Sequence, residues 1–225
     1  MKSTAPATPI RRELLKEKIA EAIRGWILDG TLKPGERVVE LVAAARLGVS
    51  RAPLREALLL LERDGLVRTT PNRGAVVTKL DPDDLREIFE IREALETLAA
   101  KRIRATLTPE KKARLLAALK GLEDAAKARS MPRFSAADRE FHRVLWELAG
   151  NRHLEEVLGG ISSRFFSYEL IRDLPRAGAF RFDAMSREHR DLAKAVLEGS
   201  DREIEAAFRK SFRAFLDYVL ERFGA

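Results

Sequence analysis

The apolar positions of the first third of the chain fall into short stripes separated by turn-formers. From Ile10 to Leu28, Leu14, Ile19, Ala22, Ile23, Trp26 and Ile27 recur at helical spacing, leaving Arg, Lys and Glu on the other face. Asp29-Gly30 stops this helix, and Lys33-Pro34-Gly35 forms a turn. A shorter helix fits Val38 to Leu47 with Leu41, Ala44 and Ala45 facing inward, and Gly48 ends it, because glycine best tolerates the positive φ of a helix C-cap. Ser50 can cap a third helix, and Pro53 falls in its first turn, where the missing N–H breaks no helical bond. That helix runs to about Asp64 and buries Leu54, Ala57, Leu58 and Leu61. After Gly65, Leu66 to Thr70 and Ala75 to Lys79 are β-prone runs joined through Pro71-Asn72-Arg73-Gly74, the signature of a hairpin.

From Asp81 onward the pattern is helical throughout. Helices are expected over Asp83 to Ala105, from Thr108-Pro109-Glu110 to Arg129, and from Pro132 and Ser135 to Ala149. Three more follow over His153 to Asp173, Phe182 to Leu197 and from Gly199-Ser200-Asp201 to Phe223, with a loop at Pro175 to Gly178. Short connections imply an antiparallel bundle, which can enclose a small-molecule pocket. The fold expected is therefore mainly α. A flexible leader over residues 1–8 precedes a winged helix-turn-helix of three helices plus a β-hairpin wing over 9–79, and a six-helix antiparallel bundle occupies 80–225.

Charge sharpens this division. The 225 residues carry a net charge of +7, of which residues 1–80 hold +6 (15 Lys and Arg against 9 Asp and Glu). A basic module fused to a near-neutral one suggests that the first meets a polyanion. The absence of cysteine excludes disulfides, thiolate metal sites and a cysteine nucleophile. No apolar run approaches the ~20 residues that span a bilayer and no signal peptide is recognisable, so a soluble, cytoplasmic protein without membrane contact is expected.

Two short helices joined by a glycine turn, the second opening with Arg51 and Arg55 on one exposed face, match a helix-turn-helix whose recognition helix enters the major groove. Arginine suits this place because its planar fork can contact guanine O6 and N7 together, and Arg73 at the wing tip can reach phosphates or the minor groove. The stretch PGERVVELVAAARLGVSRAPLREALLLLERDGLVRTTPNRGAVV resembles the winged helix of the GntR family of bacterial transcription regulators. By that resemblance Ser50, Arg51, Arg55 and Arg73 contact operator DNA. Leu59 and Leu60 stand where relatives carry polar or basic residues, which points to packing of that face against another domain or subunit.

In AADREFHRVLWELAGN, Asp138 and His142 are four apart and share a helical face, and His189 lies on a stripe with Met185 and Leu192. Two imidazoles and a carboxylate can hold a divalent ion, with positions left for water or an anionic ligand; alternatively they form a metal-free polar pocket. Together with IREALE, LAGN and EH-x-x-L-x-x-A followed by G-x-D, these residues resemble the FCD effector-binding domain of FadR-type regulators over residues 83–222. Metal-binding members use one Asp and three His, which the resemblance places at Asp138, His142 and His189, with Ser211 at the fourth position. The ion implied is zinc, nickel or manganese. Arg92 and Ser211 are the candidate effector contacts; Arg92 can form a bidentate pair with a carboxylate effector or an intrahelical pair with Glu96. His153 reads as a surface or capping residue, and Phe134, Phe141, Trp146, Phe165, Phe166 and Phe208 as core.

The reading that unites these features is a ligand-responsive regulator, in the commoner case a repressor. It would bind a palindromic operator as a homodimer, with a small organic acid modulating its affinity. A constitutive DNA-binding protein whose bundle only dimerises is the alternative. A metal-dependent enzyme lacks a separate general base, a nucleophile constellation and a phosphate-binding glycine loop.

Overall fold

The computed structural model describes residues 11–70, 74–173 and 180–221, and the chain divides into two compact units between Lys79 and Leu80. The leader at residues 1–8, Arg73, the loop at 175–178, Phe223 and the side chain of Leu14 lie outside the described residues. Among those described, no helix is long and apolar enough to cross a membrane.

The N-terminal unit is built from α1 (Arg11–Leu28), β1 (Arg37–Val38), α2 (Glu40–Leu47), α3 (Arg51–Arg63), β2 (Val67–Thr70) and β3 (Gly74–Val77). Helix α1 buries Ile19, Ala20, Ile23 and Ile27 and packs against α3, whose Leu54, Ala57, Leu58 and Leu61 face inward as their spacing predicts. An Arg24 to Asp64 ion pair at 2.7 Å ties α1 to the C-cap of α3. Gly48 ends α2 in the left-handed region at φ 64°, with its N–H turned back to Ala44 and Ala45.

Three expectations are corrected. The segment Arg37–Val38 is a strand, not a turn and helix start: it pairs antiparallel with β3 through Arg37↔Val76 and Val38↔Ala75. The wing therefore belongs to a three-stranded sheet of order β1-β3-β2. Helix α2 begins at Glu40, and its buried residues are Ala43 and Ala44. Leu41 is 69% exposed and Ala45 faces solvent, both lying outside the face that Ala43 and Ala44 bury, so of the three residues expected to face inward Ala44 does. Ser50 stands at the N-cap of α3 with extended backbone, yet its side chain makes no capping hydrogen bond.

The C-terminal unit comprises α4 (Pro82–Ala105), α5 (Pro109–Lys127), α6 (Met131–Leu148), α7 (Arg152–Asp173), α8 (Phe182–Glu198) and α9 (Asp201–Glu221). Asp81 starts α4 through a capping box, accepting from the N–H groups of Asp83 and Asp84 while Asp84 accepts from its own N–H. Thr108 caps α5, accepting from the N–H of Lys111 at 3.3 Å. Helix α4 packs on α6, α7, α8 and α9, and α5 on α6 and α8, so α4, α6 and α8 converge. All six aromatic residues assigned to the core by their spacing are buried. Phe89 meets Phe165 and Phe212 edge-on, with ring centroids 5.0 and 5.7 Å away, forming an aromatic wall beside this convergence.

Candidate functional site

Two separate constellations carry chemistry. In the N-terminal unit, α3 projects Arg51 and Arg55 into solvent, with 59% and 61% of their side-chain surface exposed. They border an open depression of about 790 Å³ between the start of α2, α3 and the sheet. Arg37 from β1 also lines it, and is exposed beside Gly74. The N-cap position leaves the Ser50 hydroxyl uncommitted to the helix and exposed. Among the described charged residues lining the depression, Glu40 alone is acidic. Val39, Leu41 and Leu59 supply its apolar parts, and Leu59 is 59% exposed on this unit. Arg37 and Glu40 were not singled out from the sequence, since only the β1–β3 pairing and the packing of α2 on α3 bring them to the arginines.

The second constellation lies where α4, α6 and α8 meet. Asp138 and His142 sit one turn apart on α6, and His189 comes from α8; all three are buried. His189 Nε2 is 2.6 Å from Asp138 Oδ1, His142 Nε2 is 3.9 Å from the same oxygen, and the two Nε2 atoms are 3.4 Å apart. The other ring nitrogen of each imidazole is engaged. His142 Nδ1 lies 2.7 Å from Glu96 Oε2, and His189 Nδ1 lies 2.8 Å from the carbonyl of Met185. A carbonyl only accepts, so Nδ1 of His189 carries a proton and a neutral ring turns a bare Nε2 lone pair toward Asp138. The Glu96 carboxylate favours the same tautomer at His142.

This arrangement calls for a cation. Asp138 Oδ1 is buried with no hydrogen-bond partner other than His189 Nε2, 2.6 Å away. With neutral imidazoles the two buried carboxylates, Asp138 and Glu96, outweigh the single guanidinium of Arg92. A proton on His189 or a divalent ion held by Asp138 Oδ1 and the two Nε2 atoms corrects the excess. The donor set fits such an ion: one carboxylate oxygen and two imidazole nitrogens whose atoms lie within 4.8 Å of one another, each imidazole oriented from behind by an acceptor.

In the metal-free protein the same geometry shifts the acids and bases. Burial opposes ionisation of Asp138, but His189, His142 and Arg92 outweigh it and hold the carboxyl below its ordinary range. Burial likewise opposes charge on His189, and the Asp138 carboxylate overrides it, raising the imidazole above its ordinary value. Glu96 is also held low, burial being outweighed by His142 and Arg92.

Arg92 is buried among aromatic rings, with its guanidinium carbon 5.0 to 5.7 Å from the ring centroids of Phe89, Phe165, Phe166 and Phe212, and donates through Nε to Glu96 Oε1 at 2.9 Å. The intrahelical pair anticipated from its spacing is thus formed. Its partner's second oxygen reaching His142 was not anticipated, because that contact depends on the rotation of α4 against α6. Ser211, on α9, lines the same cavity as Asp138, His142, His189 and Arg92. The cavity measures about 30 Å³, room for a water molecule and not for an organic acid. His153 is at the surface, 3.6 Å from Glu156.

Both units match known families. Residues 15–77 fit the model of bacterial regulatory proteins of the gntR family, and residues 87–214 fit the FCD domain. The HTH-type transcriptional regulator YdhC of Bacillus subtilis (strain 168) is 34% identical over 178 residues, which cover 77% of each chain. The HTH-type transcriptional repressor RspR of Escherichia coli (strain K12) is 22% identical over 219 residues, 95% of this chain and 90% of its own. Among solved structures, a transcriptional regulator GntR from Rhodococcus sp. RHA1 superposes with a TM-score of 0.71 at 23% identity, covering 92% of this chain and 98% of the other, a likeness of fold.

Proposed function

We propose, from the premise that this chain belongs to the GntR family of DNA-binding transcriptional regulators and carries an FCD domain, that it is a metabolite-responsive repressor with a divalent ion in its effector site. The observation that carries the reading is the convergence of Asp138, His142 and His189 around one buried carboxylate oxygen. Zinc, nickel or manganese held there supplies positive charge and open coordination positions. With the ion in place Asp138, Glu96 and Arg92 leave the site one charge positive, which a small carboxylate neutralises. Ser211, at the cavity wall, is placed to meet that ligand or a water beside it. The effector requires more room than the cavity holds, so its entry displaces the aromatic wall of Phe89 and Phe212 on α4 and α9. Only four residues separate the end of β3 at Val77 from the start of α4 at Pro82, so displacement of α4 is passed to the DNA-binding unit through a short tether.

On DNA, Arg51 and Arg55 read bases from the major groove while Ser50, Arg37 and Arg73 hold phosphates. One such unit covers a half-site, so a palindromic operator and a homodimer follow from the affinity that specific regulation needs. Ile91 and Leu98, both 45% exposed and seven residues apart on α4, provide an apolar stripe for a second copy.

The test is elemental analysis of the tag-free protein beside His142→Ala, followed by DNA binding with and without a panel of small carboxylates. One ion per chain, lost in the variant, and operator release by one acid are expected. A chain that takes up none of the three metals and releases DNA to no acid would overturn the reading.

A further inference from the structure

Glu40 is an unusual residue to find on a surface that faces phosphates. It opens α2, its carboxylate lies in the depression lined by Arg37, Arg51 and Arg55, and only 17% of its side chain is exposed. Its Oε2 accepts from Arg55 Nε at 2.9 Å and from Arg51 Nη2 at 3.4 Å. One oxygen thus holds the two arginines assigned to base reading, which project from successive turns of α3.

We infer that Glu40 is a positioning residue for operator selection: it fixes the two guanidinium forks toward the bases and keeps them off the phosphate backbone. The inference rests on the assignment of Arg51 and Arg55 to the DNA. With Nε committed to Glu40, Arg55 presents its outer edge, Nη1 and Nη2, the pair of parallel donors that matches guanine O6 and N7. A long side chain otherwise free to sample many rotamers is ordered before DNA arrives. The carboxylate also opposes a competing mode. An arginine that swings onto a phosphate leaves Glu40 facing a like charge without its partner, so a register that uses the arginines merely as counterions is penalised, whereas base reading keeps the clamp intact. Glu40 therefore lowers affinity for arbitrary DNA and raises the contrast between sequences.

The experiment uses the full chain and two duplexes, one recovered by the wild-type protein from a random-sequence pool and one of scrambled sequence and equal composition. Affinities are measured across a salt series for Glu40→Gln, Glu40→Asp, Arg51→Ala and Arg55→Ala, with a thermal melt of each to confirm folding. Glu40→Gln keeps the shape and removes the charge. It should reduce discrimination between the duplexes by about tenfold, the worth of one bidentate base contact. Binding to the scrambled duplex at low salt should tighten, and the slope of log K against log salt should steepen by about 0.9, the signature of one more neutralised phosphate. Glu40→Asp keeps the charge but withdraws it by one methylene, so the slope should stay near wild type while part of the discrimination is lost. A Glu40→Gln protein with unchanged discrimination and slope, in a series where Arg51→Ala and Arg55→Ala do lose discrimination, would overturn the clamp and leave the DNA face intact. Retained discrimination in both arginine variants would instead remove the DNA-face assignment, and the clamp with it.

Discussion

Replacing Glu96 by Gln tests the buried network with almost no change in shape. Glu96 has no exposed surface, accepts from Arg92 Nε at 2.9 Å and lies 2.7 Å from His142 Nδ1. The amide still offers one acceptor oxygen, but its NH₂ must face either the guanidinium or the imidazole N–H, and the charge opposing Arg92 is gone. Arg92, only 2% exposed and surrounded by four aromatic rings, would then be an uncompensated buried cation. Breaking one side of such a pair costs about 3–5 kcal/mol. For a unit of this size that lowers the melting temperature of the C-terminal transition by about 6–20 °C. Differential scanning calorimetry of the metal-free protein reads it. The double variant Arg92→Met with Glu96→Gln removes the stranded charge and lets the amide oxygen accept from His142, so most of the loss should return. Metal affinity carries an independent signature: without the carboxylate behind it, His142 loses its fixed tautomer and ring orientation, and affinity should fall about 10–100-fold. A single variant melting within about 2 °C of wild type, or a double variant no more stable than the single one, would refute the reasoning.

Arg51→Ala and Arg55→Ala should each cost about 1–3 kcal/mol of discrimination between sequences while much salt-dependent nonspecific binding persists, read by competition with scrambled DNA; equal loss on all DNA would refute base reading. Ser211→His places a third imidazole on the cavity that Asp138, His142 and His189 share, and should tighten zinc binding in a calorimetric titration; unchanged affinity would mean that α9 does not aim this position at the ion. Leu59→Lys should change stability by no more than about 0.5 kcal/mol, because the leucine is exposed on its own unit; a larger loss in a thermal melt would reveal a covering surface in the assembled protein. Removing metal with a chelator should lower the C-terminal melting transition by about 5–11 °C if the ion is held at a hundredfold above its Kd, and leave the N-terminal transition in place.

Much of this was legible from the chain because it is encoded locally. The inward stripe of α3 and the left-handed Gly48 follow from period and from what glycine tolerates, and both appear where the sequence places them. The juxtaposition of Asp138 with His142 follows from one turn of helix, and His189 joins them because its stripe with Met185 and Leu192 is buried. The two-residue strand β1 could not be read in this way. Its residues Arg37 and Val38 have no periodicity to display, and they become a strand only because β3 offers an edge to pair with, which in turn delays α2 to Glu40.

The same distinction explains why each site hid its acid. Glu40 is 11 and 15 residues from the arginines it holds, and Glu96 is 46 from the imidazole behind which it sits. Neither spacing has meaning within a single element, and each contact is decided by how one helix is rotated against another. Both acids sit against groups that a reading by residue type assigns to the ligand: arginines to DNA, imidazoles to a metal. A buried or half-buried carboxylate beside such groups costs desolvation and opposes anionic ligands, so its presence is better explained by orientation than by charge alone. At His142 that orientation turns Nε2 toward Asp138 and His189. The carboxylate that performs it is also the one that neutralises Arg92, so under the proposed function an effector carboxylate that competes for Arg92 loosens the support of His142 at the same time. The proposed function thus predicts that effector and ion are coupled through Glu96: a titration of effector at increasing zinc should show affinity that depends on metal loading in the wild type and loses that dependence in Glu96→Gln.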